Sequence, residues 1–235
     1  LLAIGSRLVC PGCLAAASAP AHQAYRQLEL SRVADQQRAR RAEAGVPPEF
    51  ASATFESFVD ETARATRVVQ TLEGYCKDFE SARLRRKGLL MIGPPGTAKS
   101  HLACAMVSAL VDAGYRAAYV SLPRLTREIR ASYGRPGATD ARVRQLIGVD
   151  FLVLDEVDLH GSSDSDYSML YDMINARYEA PGRPTMAISN RDLDYLVKDL
   201  DDRLVSRILG RSQPIVCDWP SRRGGVVRPT QGAQQ

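Results

Sequence analysis

Apolar residues in this chain occur at two spacings, and the alternation between the two already suggests a fold. Short, nearly unbroken apolar runs recur at residues 88–92, 116–121, 149–154, 184–188 and 212–216. Runs of this length without polar alternation fit strands buried on both faces. Between them lie segments with apolar residues at i, i+3 and i+4. One such segment predicts a long helix over 61–87, carrying Val68, Val69, Leu72, Tyr75, Cys76, Phe79 and Leu84. Further helices are predicted over 102–113, 123–132, 139–147 and 164–178, with two short ones after Asn190. Strands alternating with helices imply right-handed crossovers and an α/β fold: a parallel five-stranded sheet flanked by helices. Ligands of such sheets bind beyond the carboxyl ends of the strands.

The region ahead of the sheet has a different character. Residues 21–44 are rich in Gln, Arg, Glu and Ala, contain no Gly or Pro, and carry only Leu28, Leu30 and Val33 as an apolar stripe. That pattern reads as a solvated connecting helix, ended by Gly45-Val46-Pro47-Pro48. Before it, Cys10-Pro11-Gly12-Cys13 has the C-x-x-C spacing that supplies two thiolates to zinc. A structural zinc site needs four ligands, and His22 is the nearest other candidate; two free thiols on a turn is the competing reading. The chain opens Leu-Leu rather than Met, and the expectation is a zinc ribbon whose first ligand pair lies upstream of residue 1. The predicted organisation is the C-terminal half of that ribbon over 1–20, a charged helix over 21–46, the main domain over 47–219 and a tail over 220–235. From Trp219 onward the Arg/Gly/Gln-rich composition reads as disordered.

Composition narrows the class only a little. The 235 residues are 45% hydrophobic and 25% charged, with 31 basic against 27 acidic side chains for a formal charge of +4. This balance permits a nucleic-acid partner without requiring one. No apolar run is long enough for a membrane span. The five cysteines are odd in number and mostly beside regular elements, which argues against a disulfide framework and for a reducing cytoplasm.

The chemistry is concentrated where three of the strands end. After the first apolar run comes Gly93-Pro94-Pro95-Gly96-Thr97-Ala98-Lys99-Ser100-His101, a phosphate-binding loop of G-x-x-x-x-G-K-[ST] type with Ala98 in place of its second glycine. Backbone N–H groups of such a loop converge on phosphate oxygens, Lys99 sits on the β/γ-phosphates of ATP, and the Ser100 hydroxyl faces Mg²⁺. If Ala98 needs φ > 0 it costs about 1–2 kcal/mol relative to glycine; at φ < 0 it costs little. The third run ends in Asp155-Glu156, a pair suited to holding Mg²⁺ (Asp155) and deprotonating an attacking water (Glu156). Asn190, at the tip of the next strand, is placed to sense a γ-phosphate. Arg203 and Arg207 lie four apart on one helical face; presentation to a neighbouring subunit's γ-phosphate and pairing with Asp199 or Asp202 are both open. Phe50 to Phe58 is an aromatic lead-in, readable as domain packing or as contact with a nucleotide base.

The motifs Gly-Pro-Pro-Gly-Thr-Ala-Lys-Ser-His-Leu-Ala, Val-Leu-Asp-Glu-Val, Ile-Ser-Asn and Asp-Arg-Leu-Val-Ser-Arg-Ile resemble, in order and spacing, the DnaC/IstB family of AAA+ ATPases. The likeness runs from about residue 45 to 223, is closer to DnaC-type helicase loaders, and implies an AAA+ P-loop core without a substantial lid domain. It implies an ATP-hydrolysing, self-oligomerising protein that grips single-stranded DNA and delivers a DnaB-like replicative DNA helicase to it. It assigns Lys99 and Ser100 to Walker A, Asp155 and Glu156 to Walker B, Asn190 to sensor 1, and Arg207 with Arg203 beside it to the arginine finger. It also points to Arg130 and Tyr133 as DNA contacts. Where the family has Trp-x-Ser-Tyr-Arg, this chain has Trp219-Pro220-Ser221-Arg222-Arg223, leaving the role of Arg222 open. An IstB-like ATPase directing a transposase to DNA is the alternative of the same fold. A small-molecule P-loop kinase and a non-catalytic, nucleotide-gated adaptor are the alternatives of other classes.

Overall fold

The computed structural model describes residues 2–4, 7–9, 11–59, 62–131, 138–158, 164–199 and 202–221. The chain forms two compact units, Leu1–Arg40 and Arg41–Gln235. In the first, β1 (Leu2–Ile4) pairs antiparallel with β2 (Arg7–Val9). The helix α1 (Pro11–Glu43) follows. It starts ten residues earlier than the polar pattern suggests. Pro11 presets the φ of a first helical turn, and the alanine-rich stretch behind it favours helix. The proposed zinc knuckle is therefore only partly visible: Cys10 lies outside the described residues, and of Cys13 only the helical backbone is described. No helix among the described residues is long and apolar enough to cross a membrane.

The second unit begins with a 3₁₀ turn at Pro48–Phe50 and two helices, α2 (Ala63–Lys77) and α3 (Phe79–Leu84). The single long helix expected over 61–87 is broken at Asp78, whose φ of −106° and ψ of 34° leave the helical region. The break turns Phe79 inward, 1% exposed against the Tyr115 and Phe151 rings, and leaves Leu84 77% exposed. Leu84 is thus not part of the core stripe.

The remaining elements alternate: β3 (Gly88–Ile92), α4 (Lys99–Asp112), β4 (Ala117–Ser121), α5 (Leu122–Ala131), α6 (Ala138–Gly148), β5 (Phe151–Asp155), α7 (Asp164–Glu179), β6 (Thr185–Ser189), α8 (Leu193–Asp199), α9 (Asp202–Leu209) and β7 (Ser212–Val216). The five strands β3 to β7 are parallel, in the order β4-β5-β6-β3-β7. Alternate residues of each strand serve different cores. Leu89, Met91, Tyr119, Phe151, Val153 and Met186 pack with α2, α3 and α4 on one face. Leu90, Ile92, Val120, Leu152, Leu154 and Ala187 pack with α5 to α9 on the other. Burial on both faces explains why the strands read as continuous apolar runs. The β4 edge is closed by backbone, with Tyr119 N donating to Ala44 O at 2.8 Å. The β7 edge carries Pro214, which removes a donor where edge pairing could otherwise propagate.

One buried cation ties the layers together. Arg177 of α7 is 1% exposed. Its Nε donates to Thr185 Oγ1, Nη1 to the carbonyls of Leu146, Ile147 and Val149, and Nη2 to that of Pro184, all within 2.8–3.0 Å. Loss of water, with Arg183 alongside, pushes its pKa down to about 9, which still leaves a cation at neutral pH. Two of these carbonyls close α6, where the helix dipole favours positive charge. Arg177→Met would strand several buried carbonyls, each worth about 1–3 kcal/mol. The expected outcome is a loss of at least about 3 kcal/mol in urea unfolding, and a loss within about 1 kcal/mol would refute this account.

Candidate functional site

The carboxyl ends of the parallel strands meet in one place. Beyond β3 the chain turns from Gly93 to Ala98 and enters α4. Gly93 has φ of +147°, and a Cβ there would stand 2.0 Å from Cys217 O. Gly96 has φ of +89°, and a Cβ there would stand 1.9 Å from Ser221 Oγ. Both approaches require glycine. Thr97 is buried, its Oγ1 donating to Pro94 O at 3.0 Å. Ala98 is the N-cap of α4 with φ of 61° and ψ of 28°, so the costly alternative weighed from the sequence is the one that occurs. Lys99 is 4% exposed, and Nζ donates to Gly93 O at 2.7 Å and Pro94 O at 2.9 Å, holding the ammonium beneath the loop. The N-terminus of α4 opens onto the same space, a setting that favours an anion.

Two carboxylates face this loop from the end of β5. Asp155 is 4% exposed and receives donors from three elements. Oδ2 accepts from Ser100 Oγ at 2.6 Å and from Tyr119 OH at 2.5 Å, while Oδ1 accepts from Glu156 N at 2.8 Å. Burial and the adjacent Asp155 charge raise the Tyr119 pKa far above its ordinary value, so the phenol stays protonated as a donor. Glu156 is exposed, in a left-handed conformation at φ of 59°, with Oε2 accepting from Ser121 Oγ at 2.8 Å. A non-glycine residue in that region costs of order 1–3 kcal/mol and is held there by its surroundings. At the end of β6, Asp158 secures the neighbouring turn: Oδ2 accepts from Asn190 N at 2.8 Å, and Oδ1 from the Ser189 hydroxyl.

These groups line a cleft of about 500 Å³. It takes in Pro95, Gly96, Ala98, Lys99, Ser100, His101, Asp155, Glu156 and Asn190, with Phe50, Ser57 and Phe58 of the lead-in forming one wall. Gly93, Pro94 and Thr97 shape the loop from behind. His101 turns toward the lead-in, its Nε2 lying 3.2 Å from both Ser57 Oγ and Thr54 O. Trp219, read from composition as the start of a disordered tail, is instead 4% exposed. Its Nε1 donates to Thr97 O at 3.1 Å, and its ring meets Phe58 edge-on at 6.1 Å. Ser221, placed in that tail, lies against Gly96. The segment is ordered because it closes the core behind the loop.

Other predicted residues lie away from the cleft. Arg207 Nε donates to Asn175 Oδ1 at 2.9 Å, and its guanidinium stacks 4.7 Å from the Tyr178 ring. It lines a separate cavity at the opposite, amino ends of β3, β6 and β7, together with Arg86, Arg183 and Arg211. Arg203 is exposed on α9 and Arg130 is exposed on α5. Tyr133 lies outside the described residues. Sequence reasoning missed Tyr119, Ser121 and Asp158. The only signals were a hydroxyl in a buried strand, a serine at a strand end, and a third acidic residue after Asp155-Glu156.

The donor set suits a small hard cation beside a phosphate. Ser100 Oγ and Asp155 Oδ2 are two oxygens 2.6 Å apart, and oxygen donors with room for water are what Mg²⁺ takes. Ala98→Gly relieves about 1–2 kcal/mol of left-handed strain but adds about 0.4–1 kcal/mol of unfolded-state entropy. The expected result is a net gain of about 0.5–1 kcal/mol in urea unfolding, with affinity for a fluorescent ATP analogue retained. A loss of stability would show that the methyl group's packing outweighs the strain.

Comparison with known proteins agrees with this geometry. The family described as IstB-like ATP binding protein matches residues 27–212. The replicative helicase loader DnaC of Escherichia coli (strain K12) is 23% identical over 185 residues, spanning 78% of this chain and 74% of that one. A putative insertion sequence ATP-binding protein of Sinorhizobium fredii is 30% identical over 138 residues, spanning 59% of this chain and 44% of that one. Among solved structures, the crystal structure of the DnaC helicase loader aligns with a TM-score of 0.65 at 21% identity, over 73% of this chain and 99% of that one. That of DnaI aligns with a TM-score of 0.63 at 22% identity, over 75% of this chain and 94% of that one. At such identities the structural likeness speaks to the fold, which is that of the AAA+ ATPases. The family match covers most of the sequence, and the chain belongs to the IstB-like ATP-binding protein family.

Proposed function

We propose that this protein hydrolyses ATP with Mg²⁺ and uses the cycle to deliver a replicative DNA helicase onto single-stranded DNA. The observation that carries the hydrolytic reading is the convergence of Lys99, Ser100, Asp155, Glu156 and Asn190 on one cleft at the strand ends. In this reading the loop backbone and Lys99 hold the β/γ-phosphates, and Ser100 and Asp155 hold the metal. Mg²⁺ held by these two side chains would supply neutralisation of the phosphate charge. Glu156, exposed to the cleft and oriented by Ser121, accepts a proton from the attacking water. Asn190, its backbone pinned by Asp158, reaches the γ-phosphate or that water with its amide. Catalysis by positioned charge needs rigid carboxylates, and the bonds around Asp155 supply that rigidity.

Arg207 and Arg203 lie outside their own subunit's cleft, which supports a role on a neighbouring copy's nucleotide and hence a self-oligomer. Arginine supplied to the transition state in this way is worth roughly 10³–10⁵ in rate. The face for DNA in this reading is α5, which presents Arg124, Arg127 and Arg130, with Tyr133 following in the sequence. Arginines there contact phosphates, and an aromatic side chain stacks on bases without sequence preference. Delivery of a helicase is supported by the similarity to the Escherichia coli loader over about three quarters of each chain. Delivery of a transposase is the second reading, supported by the 30% identity to the Sinorhizobium insertion-sequence protein. Zinc held in part by Cys10 and Cys13 belongs to the same proposal.

Glu156→Gln keeps the shape of the side chain and removes the base. Steady-state turnover should fall at least about 100-fold while binding of the ATP analogue is retained; unchanged turnover would overturn the assignment of the base. Co-purification of the protein with the replicative helicase, with and without ATP, tests the partner. ATP-dependent capture of the helicase is the expected result, and capture of the transposase alone would select the second reading.

A further inference from the structure

We infer that Tyr119 is a positioning residue for Asp155 and governs how strongly a divalent cation contributes to nucleotide binding. The inference rests on the proposed role of Asp155 as a metal-holding carboxylate. Tyr119 lies in the middle of β4, opposite Val153 of β5, two residues before the pair formed by Ser121 and Asp155. Its side chain runs along the face of the sheet covered by α4, 6% exposed, and reaches Asp155 at the strand end. The hydroxyl donates to Oδ2 at 2.5 Å, the same oxygen that Ser100 Oγ reaches at 2.6 Å.

The two donors have different duties. Ser100 stands on the phosphate loop and is required by the cation as well as by Asp155, so its bond to the carboxylate is shared. Tyr119 is in the sheet, buried, and donates its hydroxyl to Asp155 Oδ2 with Ser100 also within reach. Its bond to Oδ2 comes from the sheet rather than from the loop, while Glu156 N fixes Oδ1. A carboxylate anchored in this way presents its remaining lone-pair directions to the cleft without the cost of ordering them on binding. Groups that orient a metal-holding side chain from behind typically contribute 10–100-fold to metal affinity or activity. A tyrosine that merely filled the core would make no distinction between nucleotide binding with and without metal.

The test is titration of a fluorescent ATP analogue into wild type and Tyr119→Phe, first in excess EDTA and then across a Mg²⁺ series. Phenylalanine keeps the ring in the core and removes only the donor; Tyr119→Met, which fills the space flexibly, provides a second background. The expected result is unchanged affinity in EDTA and a Mg²⁺ midpoint raised about 10–100-fold in both variants. The EDTA arm also serves as the control for folding. An unchanged Mg²⁺ midpoint would overturn the inference, as would an equal loss of affinity with and without metal. Absence of any Mg²⁺ effect in the wild type would instead overturn the proposed role of Asp155 itself, and the inference with it.

Discussion

A carboxylate removed from water must be given hydrogen-bond donors, and Asp155 receives its donors from the phosphate loop, from β4 and from its own neighbour's backbone. Much of the site follows from that requirement. Satisfying Oδ1 through the next amide draws Glu156 into the left-handed region, which aims its side chain at Ser121. Satisfying Oδ2 places Ser100 at the head of α4, and α4 in turn holds Lys99 beneath the loop. The strand order serves the same end, since β5 lies between β4, which supplies Tyr119 and Ser121, and β6, which is followed directly by Asn190. An unpaired charge at this position would cost several kcal/mol, so these contacts stand or fall together.

The parts of this arrangement that were legible in the sequence are those written in consecutive residues. The loop from Gly93 to His101, the pair Asp155-Glu156 and the strand-end Asn190 are each local, and the continuous apolar runs announced buried parallel strands. Contacts between distant residues left little trace. Tyr119 resembles any aromatic residue of a buried strand until β5 is placed beside it. Trp219 stands in a composition typical of disorder, and only the proximity of Thr97, 122 positions earlier, explains its burial. The break at Asp78 was hidden because Phe79 keeps the helical spacing while facing a different part of the core. Ala98 was identified as a departure, but its sign depended on a backbone angle that no residue pattern reveals.

Strain in the site is concentrated at two positions on either side of the cleft. Ala98 begins the helix that carries Lys99 and Ser100, and Glu156 follows the strand that carries Asp155; both have positive φ without being glycine. Each is held by bonds that also position a functional group, so relaxation at either would displace it. The buried Arg177 does comparable work at the far end of the sheet, where it joins α6 to the start of β6. The molecule is thus stiffened at both ends of its strands, at one end by a cation among carbonyls and at the other by a carboxylate among donors.

The packing of Cys217 to Ser221 behind the loop has a consequence for biosynthesis. Gly93 approaches the Cys217 carbonyl, Gly96 approaches Ser221, and Thr97 accepts from Trp219. The phosphate loop is synthesised early, yet the residues that complete its support are among the last of the domain to leave the ribosome. A nascent chain carrying the whole of β3 and α4 lacks that backing until β7 has emerged and docked. Closing so long a stretch of chain is entropically expensive and slow relative to local structure. The loop's full backing should therefore arise late during translation, once the last strand has docked.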